Sequence, residues 1–201
     1  MRTDNGYDGL DIAEEVLLGK LDGFVGEMQP LAIILGGQPA SGKGKLFEQI
    51  QSHYFGKKFV IINGDEFRAY HPRSEKIASL YGRDYADITQ TFANALVQFM
   101  KQECIKKRYN FILESTFRNL KTIIITSQEL KEQNYQIAVH ALSVPYWDSL
   151  LGIFERYEGQ IKDTGLGRFS PLSTHNEAFK ALPENLKVCL EENLFDEIII
   201  Y

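Results

Sequence analysis

The sequence predicts a three-layer α/β fold with a mainly parallel central sheet of about five strands. Three observations carry this. Short apolar runs alternate with longer amphipathic stretches along the whole chain. The runs have no polar face, as expected of parallel strands covered by helices on both sides. The first run leads into ILGGQPASGKGKL, Ile34 to Leu46. Glycines, a lysine and a helix start directly after a strand form a phosphate-binding loop, which makes the fold P-loop NTPase-type. The 201 residues suit a single P-loop domain over 1–201. A helical segment is expected over 1–29 and a helical lid or substrate region over 145–193.

In chain order, LAIILGG (Leu31 to Gly37) is the first strand and stops at two glycines. KLFEQIQSHY follows with helical spacing of Leu46, Phe47 and Ile50. KFVIING (Lys58 to Gly64) is the second strand. Asp84 to Lys107 reads as one long helix, with Ile88, Phe92, Ala95, Leu96, Phe99 and Met100 along one face. NFILEST (Asn110 to Thr116) is the third strand, Lys121 to Gln133 a helix, and QIAVHALSV (Gln136 to Val144) the fourth strand. Pro145 starts a helix running through Tyr157, a favoured place for proline. A glycine-rich loop, DTGLGRFSP, comes next, then two helical pieces, the second opening at Pro183. DEIIIY is the fifth strand.

Composition narrows the function. With 44% hydrophobic and 24% charged residues the chain has the balance of an ordinary globular protein. A net charge of −5 argues against a nucleic-acid partner, which needs a basic surface. The one compact basic run, Lys106-Lys107-Arg108 with Lys101 upstream, ends a helix, where cations offset the dipole. Cys104 and Cys189 have no ligand-spaced neighbours and read as reduced, half-buried helix residues. The acidic opening MRTDNGYDGLDIAEE lacks the apolar core of a signal peptide. No apolar run approaches the roughly 20 residues of a membrane span. The expectation is a cytoplasmic protein with no membrane and no nucleic-acid partner.

Ligands in such folds bind beyond the carboxyl ends of the strands, so candidate residues are sought there. Gly37, Gln38, Pro39, Ala40, Ser41, Gly42, Lys43, Gly44 and Lys45 form the candidate nucleotide loop. Its glycines permit backbone turns that aim successive N–H groups at phosphate oxygens, and Lys43 adds a charge at the terminal phosphates. Lys45 begins the solvent face of the helix. The motif normally continues with Ser or Thr, whose hydroxyl ligates Mg²⁺; here Gly44 stands instead, and a water can take that place. No protein metal ligand is assigned. Asp65 ends the second strand as a general base for a substrate hydroxyl or as a helix N-cap. Glu114 ends the third strand as a metal or substrate contact or as a solvated strand end. Thr116 and Arg118 follow on the same loop, within reach of a polar substrate. Arg156 and Arg168 suit a phosphoryl group's developing charge; for Arg156 the competing reading is a surface ion pair with Glu155 and Glu158. His71 precedes a proline and reads as structural, and His53, His140 and His175 as no ligand cluster.

Four segments together resemble the zeta toxins of bacterial toxin–antitoxin systems: GGQPASGK (Gly36 to Lys43), INGDEFRAYHP (Ile62 to Pro72), ILESTFR (Ile112 to Arg118) and IFERYE (Ile153 to Glu158). The resemblance implies ATP-dependent phosphorylation of the 3′-hydroxyl of the amino sugar of UDP-N-acetylglucosamine or a related UDP-sugar. That would make the protein a toxin against cell-wall synthesis, held in check by a small helical antitoxin that blocks the nucleotide site. It implies Lys43 as the phosphate lysine, Asp65 as the base, and Arg156 and Arg168 on the phosphates. It places Glu114, Thr116, Arg118 and Gln98 at the sugar nucleotide. Three positions depart from the family pattern: Gly44 for the hydroxyl residue, Ser115 for a glycine, and Gln98 for a glutamate. The alternatives are a degenerate nucleotide- or UDP-sugar-binding relative with little turnover, and a P-loop kinase of another small molecule.

Overall fold

The computed structural model describes residues 9–165 and 167–201. Residues 1–8 of the expected N-terminal helical segment lie outside them. Of the described part of that segment only Leu10–Gly19 is helical, as α1; residues 20–29, expected to be helical too, are turns and irregular chain. α1 buries Ala13 and Leu17 against the long helix Gln90–Lys107 and sets Gly9 beside Pro72.

The elements then follow in order. β1 is Leu31–Gly36, and a single 3₁₀ turn, Lys43–Leu46, opens into α2 (Phe47–His53). β2 (Val60–Ile62) leads into α3 (Gly64–Phe67), α4 (Ser74–Tyr81), α5 (Tyr85–Ile88) and α6 (Gln90–Lys107). β3 (Phe111–Ser115), α7 (Leu120–Glu132) and β4 (Gln136–Ala141) come next. α8 (Tyr146–Thr164), α9 (Leu172–Glu191) and β5 (Glu197–Ile200) end the chain.

All strands pair in parallel, in the order β2-β3-β1-β4-β5. β1 shows why its sequence is apolar throughout. Leu31, Ile33 and Leu35 pack toward α2, while Ala32 and Ile34 face the α6, α7 and α9 side. With period-two alternation and helices on both faces, neither side tolerates a polar residue. Parallel pairing also brings the ends of β1, β2 and β3 to one edge. Leu35 pairs with Glu114, Gly36 with Ser115 and Ile62 with Leu113.

Three expectations about helices need correction. The helix expected over Asp84 to Lys107 breaks at Thr89, which is fully buried and bonds Tyr85 O at 2.7 Å through its hydroxyl. Arg68 then donates to the same hydroxyl at 3.1 Å. A buried arginine needs those oxygens, and that tertiary demand overrides the local helical pattern. The helix from Pro145 runs on to Thr164 and closes at left-handed Gly165. The two pieces expected around Pro183 are one continuous helix, α9. An interior proline costs a helix about 3 kcal/mol. The buried stripe His175, Ala178, Leu182, Asn185 and Cys189 nevertheless continues across it and holds the axis together. Cys104 and Cys189, expected half-buried, are fully buried.

The basic run engages the chain itself. Lys106 and Lys107 pair with Glu103, and Lys101 with Glu129 at 2.6 Å. Arg108 caps α6 in the left-handed region and donates to the carbonyls of Glu27, Met28 and Gln133.

Candidate functional site

The loop after β1 owes its shape to two left-handed residues, Ala40 (φ 61°) and Gly42 (φ 89°). Gly37 has no room for a side chain: a Cβ there would lie 2.5 Å from Ser41 Oγ. Lys43 folds back over the loop and donates to the carbonyls of Gly37 at 2.8 Å and Gln38 at 3.1 Å. Burial drives its ammonium pKa down, Glu114 and Asp65 partly restore it, and the balance is about 8. Gly44 is exposed and a side chain there would meet nothing within 4 Å. A hydroxyl residue therefore fits sterically where glycine stands.

Asp65 sits in the first turn of α3, but it is not the cap. Asn63 is: its Oδ1 accepts from Asp65 N at 2.9 Å. Its amide nitrogen donates to Glu114 at 3.0 Å, joining the ends of β2 and β3. This leaves the Asp65 carboxylate free of a capping duty. One oxygen receives Arg68 Nε at 3.3 Å and the other the Arg168 guanidinium. Burial alone would raise the Asp65 pKa, but Arg168, then Arg68 and Arg156, outweigh it and hold the carboxyl below its ordinary value. Glu114 moves the other way. Burial raises it, Lys43 opposes, and Asp65 and Glu66 add to the rise. Two acids in one cleft thus differ in proton affinity because of their neighbours.

Arg156 makes no ion pair with Glu155 or Glu158 among the described residues. Its guanidinium turns to the cleft and donates to Ser170 at 2.7 Å. Burial and then neighbouring Arg168 lower its pKa to about 10, against the pull of Asp65 and Glu114. Arg168 is fixed by its backbone N–H on Gln160 Oε1 at 2.8 Å, which ties the loop to α8. Gly167 permits this closeness, since a Cβ there would meet Tyr157 O at 2.7 Å. Phe169 packs on Phe154 and Tyr157 at 5.5 Å, with Arg83 4.7 Å above the Phe169 ring.

The structure therefore brings Lys43, Asp65, Glu114, Arg156 and Arg168 into one electrostatic cluster. Arg118 points elsewhere: it is exposed and bonds Thr174 and Glu177 of α9, each at 3.2 Å. Thr116 is half-buried just before Phe117, whose left-handed backbone (φ 57°) is anchored by Asn185 on its carbonyl at 2.8 Å. Gln98 is exposed on α6, next to Val97, the residue that packs on Gly64. His71 is buried against Phe92 and accepts Arg73 N at 3.1 Å, the structural role its sequence context suggested.

Sequence reasoning missed Arg68. It is 6% exposed and ties Asp65 to Ala86 O, Thr89 and Gln90. Its signal was present in GDEFR, three residues after the acid. Also missed was the buried contact of Gln38 with the first turn of α8, for which the sequence carries no signal.

Three buried donors in this cleft lack a hydrogen-bond partner among the described residues: Ser41 Oγ, Arg156 Nε and Arg168 Nε. Orphaned buried donors cost free energy. Beside a lysine and a glycine loop, their chemistry matches the oxygens of a polyphosphate. For a divalent cation, no group of three or more His, Cys, Asp or Glu forms a metal site among the described residues. Mg²⁺ needs none when phosphates and waters complete its shell.

A family model described as zeta toxin matches residues 15–201. The toxin zeta of Streptococcus agalactiae is 32% identical over 173 residues, covering 86% of this chain and 60% of that protein. The toxin zeta of Enterococcus hirae is 31% identical over 196 residues, covering 95% and 65%. The chain thus spans about 60–65% of the length of these curated relatives. A solved structure from the characterization of the PezAT chromosomal toxin–antitoxin system of Streptococcus pneumoniae superposes with a TM-score of 0.84. It is 28% identical and covers 100% of this chain and 79% of that one.

Proposed function

The chain belongs to the zeta toxin family, and on that premise we propose that it is an ATP-dependent phosphotransferase acting on the 3′-hydroxyl of the amino sugar of UDP-N-acetylglucosamine or a related UDP-sugar. The observation that carries this reading is the meeting of a glycine-and-lysine loop, two arginines with orphaned donors, and a carboxylate held ionised.

In this reading Lys43, Arg156 and Arg168 hold the phosphates and offset the charge of the transferring phosphoryl group. Such transfer depends on positioning and electrostatics more than on covalent chemistry. Asp65 accepts the proton of the sugar hydroxyl. The pair between Arg168 and Asp65 weakens the base. A phosphate that draws Arg168 away restores its basicity when the donor is in place. Glu114, Thr116 and Gln98 contact the acceptor; Arg118, held on Thr174 and Glu177, would have to leave α9 to join them. Bound with the phosphates, Mg²⁺ would offset their charge, and Asp65 and Glu114 would be the acceptors for its waters. In the cell the activity makes the protein a toxin, and the family's pairing supports a small helical antitoxin that covers the nucleotide site. The PezAT neighbour comes from such a two-component system.

Gly44 favours a second reading, a binding relative with little turnover. ATP consumption with and without a panel of UDP-sugars separates the two. Sugar-dependent turnover supports the kinase. ATP binding without turnover on any acceptor supports the degenerate form.

A further inference from the structure

We propose that Gln38, Ser149 and His175 are positioning residues that keep the phosphate loop in register with the arginine-bearing arm, α8 and the loop after it. The proposal rests on the phosphotransferase reading.

The link consists of groups closed off from solvent: Gln38 is 1% exposed, Ser149 and His175 0%. The Gln38 carbonyl helps hold Lys43, while its side chain leaves the loop in the other direction. Its amide nitrogen donates to Val144 O at 2.9 Å and Ser149 Oγ at 3.1 Å, on the approach to α8 and its first turn. The Ser149 hydroxyl lies 2.9 Å from His175 Nε2 on α9. His175 Nδ1 lies 3.3 Å from Asn176 Oδ1, which also accepts from Tyr146 OH at 2.8 Å. Donor counting gives the chain a direction. An amide oxygen only accepts, so the imidazole proton sits on Nδ1 and leaves Nε2 as acceptor. The Ser149 hydroxyl donates to Nε2 and receives the Gln38 N–H. Its other acceptors, Pro145 O at 3.2 Å and Tyr146 O at 3.1 Å, are longer.

A second contact makes the link stiff. Gly152, one turn after Ser149, lies against the loop so closely that a Cβ would meet Ala40 Cβ and O at 3.3 Å. Arg156 follows one turn later on the same helix, and Gln160, another turn on, anchors the backbone of Arg168. The phosphate loop and both arginines are therefore parts of one rigid path. Apolar residues of the same shape would fill this space at little cost in stability. What the polar chain adds is a fixed register, and reactions that depend on positioning lose about a hundredfold for a 1 Å misplacement.

The test uses the full chain and the single tryptophan, Trp147, which stands on the first turn of α8 with its ring 5.0 Å from Tyr146. ATP should change Trp147 emission in the native protein. In Ser149→Ala and His175→Leu, the calorimetric Kd and the KM for ATP should stay within about threefold of native. Their kcat should fall about 10- to 100-fold, and the ATP-induced change of Trp147 emission should disappear. His175→Gln keeps an acceptor and should recover most of both. A role in packing alone predicts lower melting temperatures with native kcat and no difference between Gln and Leu at 175. That result overturns the proposal, as does native Trp147 emission that ignores bound ATP. If His175→Leu fails to fold, Ser149→Ala, which removes one oxygen, decides. A native protein that binds no ATP defeats the phosphotransferase reading and this proposal with it. Native binding and turnover with unaltered kcat in the variants defeat this proposal alone.

Discussion

Replacing Gly44 by serine should tighten Mg²⁺-dependent ATP binding and stabilise the protein at once. Gly44 lies in the 3₁₀ turn Lys43–Leu46, its backbone is outside the left-handed region, and a Cβ would meet nothing within 4 Å. Serine therefore introduces neither clash nor strain. At such a site the loss of glycine's freedom in the unfolded chain is worth about 0.4–1 kcal/mol. In a domain of this size that raises the melting temperature by about 1–4 °C. The new hydroxyl also supplies the partner the loop lacks for a hydrated cation. One such partner is worth about 1–3 kcal/mol, or roughly 5- to 150-fold in affinity. Calorimetric ATP titrations with Mg²⁺ and with EDTA, beside thermal melts, measure both effects. The reasoning is refuted if the two proteins bind Mg²⁺–ATP equally, or if the gain persists in EDTA. A lowered melting temperature would contradict the open surroundings of the site.

Other outcomes follow from the charges. ATP affinity should fall as pH rises through about 8, where Lys43 loses its proton; an affinity flat from pH 7 to 9.5 would contradict its depressed pKa. Because that pKa lies below the unfolded value of 10.5, the charged lysine costs the fold stability below pH 8, and the cost disappears as pH rises toward 10.5. Lys43→Met should accordingly melt higher than native at pH 7, with the difference shrinking as pH rises, as paired melts would show. His140 is fully buried between Tyr54 OH at 3.1 Å and Tyr201 OH at 2.8 Å. Burial lowers its pKa to about 4, so the neutral ring supports the fold above pH 6.5 and that support is lost as pH falls toward 4. In an NMR titration its ring signals should hold still down to about pH 5; movement centred near 6.5 would contradict this.

The sheet was legible because parallel strands with two covered faces read as near-continuous apolar runs, and LAIILG, VII, FILES, QIAVHA and EIII all sit on the expected runs. The phosphate loop was legible because its glycines, lysine and flanking strand are contiguous in sequence. Boundaries set by tertiary contacts were not. Nothing local marks Thr89 as a helix break; it takes Arg68, distant in sequence, to make its hydroxyl necessary. Pro183 misled for the converse reason, since packing of Leu182, Leu186 and Cys189 carries α9 past a residue that breaks isolated helices. For Arg156, flanked by two glutamates, the sequence left both a phosphate arginine and a surface ion pair open; helix α8 turns it inward to Ser170. Arg118, read beside the third strand, reaches over to Glu177 instead. The Gln38 contact with Ser149 joins positions 111 residues apart, beyond any spacing rule.

The central claim is that Asp65 takes the proton of the acceptor hydroxyl, and Asp65→Asn tests it most directly. Asn63 already caps α3, so helix capping does not depend on position 65. Asparagine keeps the shape and the hydrogen-bonding reach but cannot accept a proton. In single-turnover phosphorylation of the preferred UDP-sugar, with ATP binding measured alongside, the variant should bind ATP within a fewfold of native. Its transfer rate should be slower by roughly 10²–10⁴-fold, the contribution expected of a general base. A near-native transfer rate in Asp65→Asn would contradict the claim.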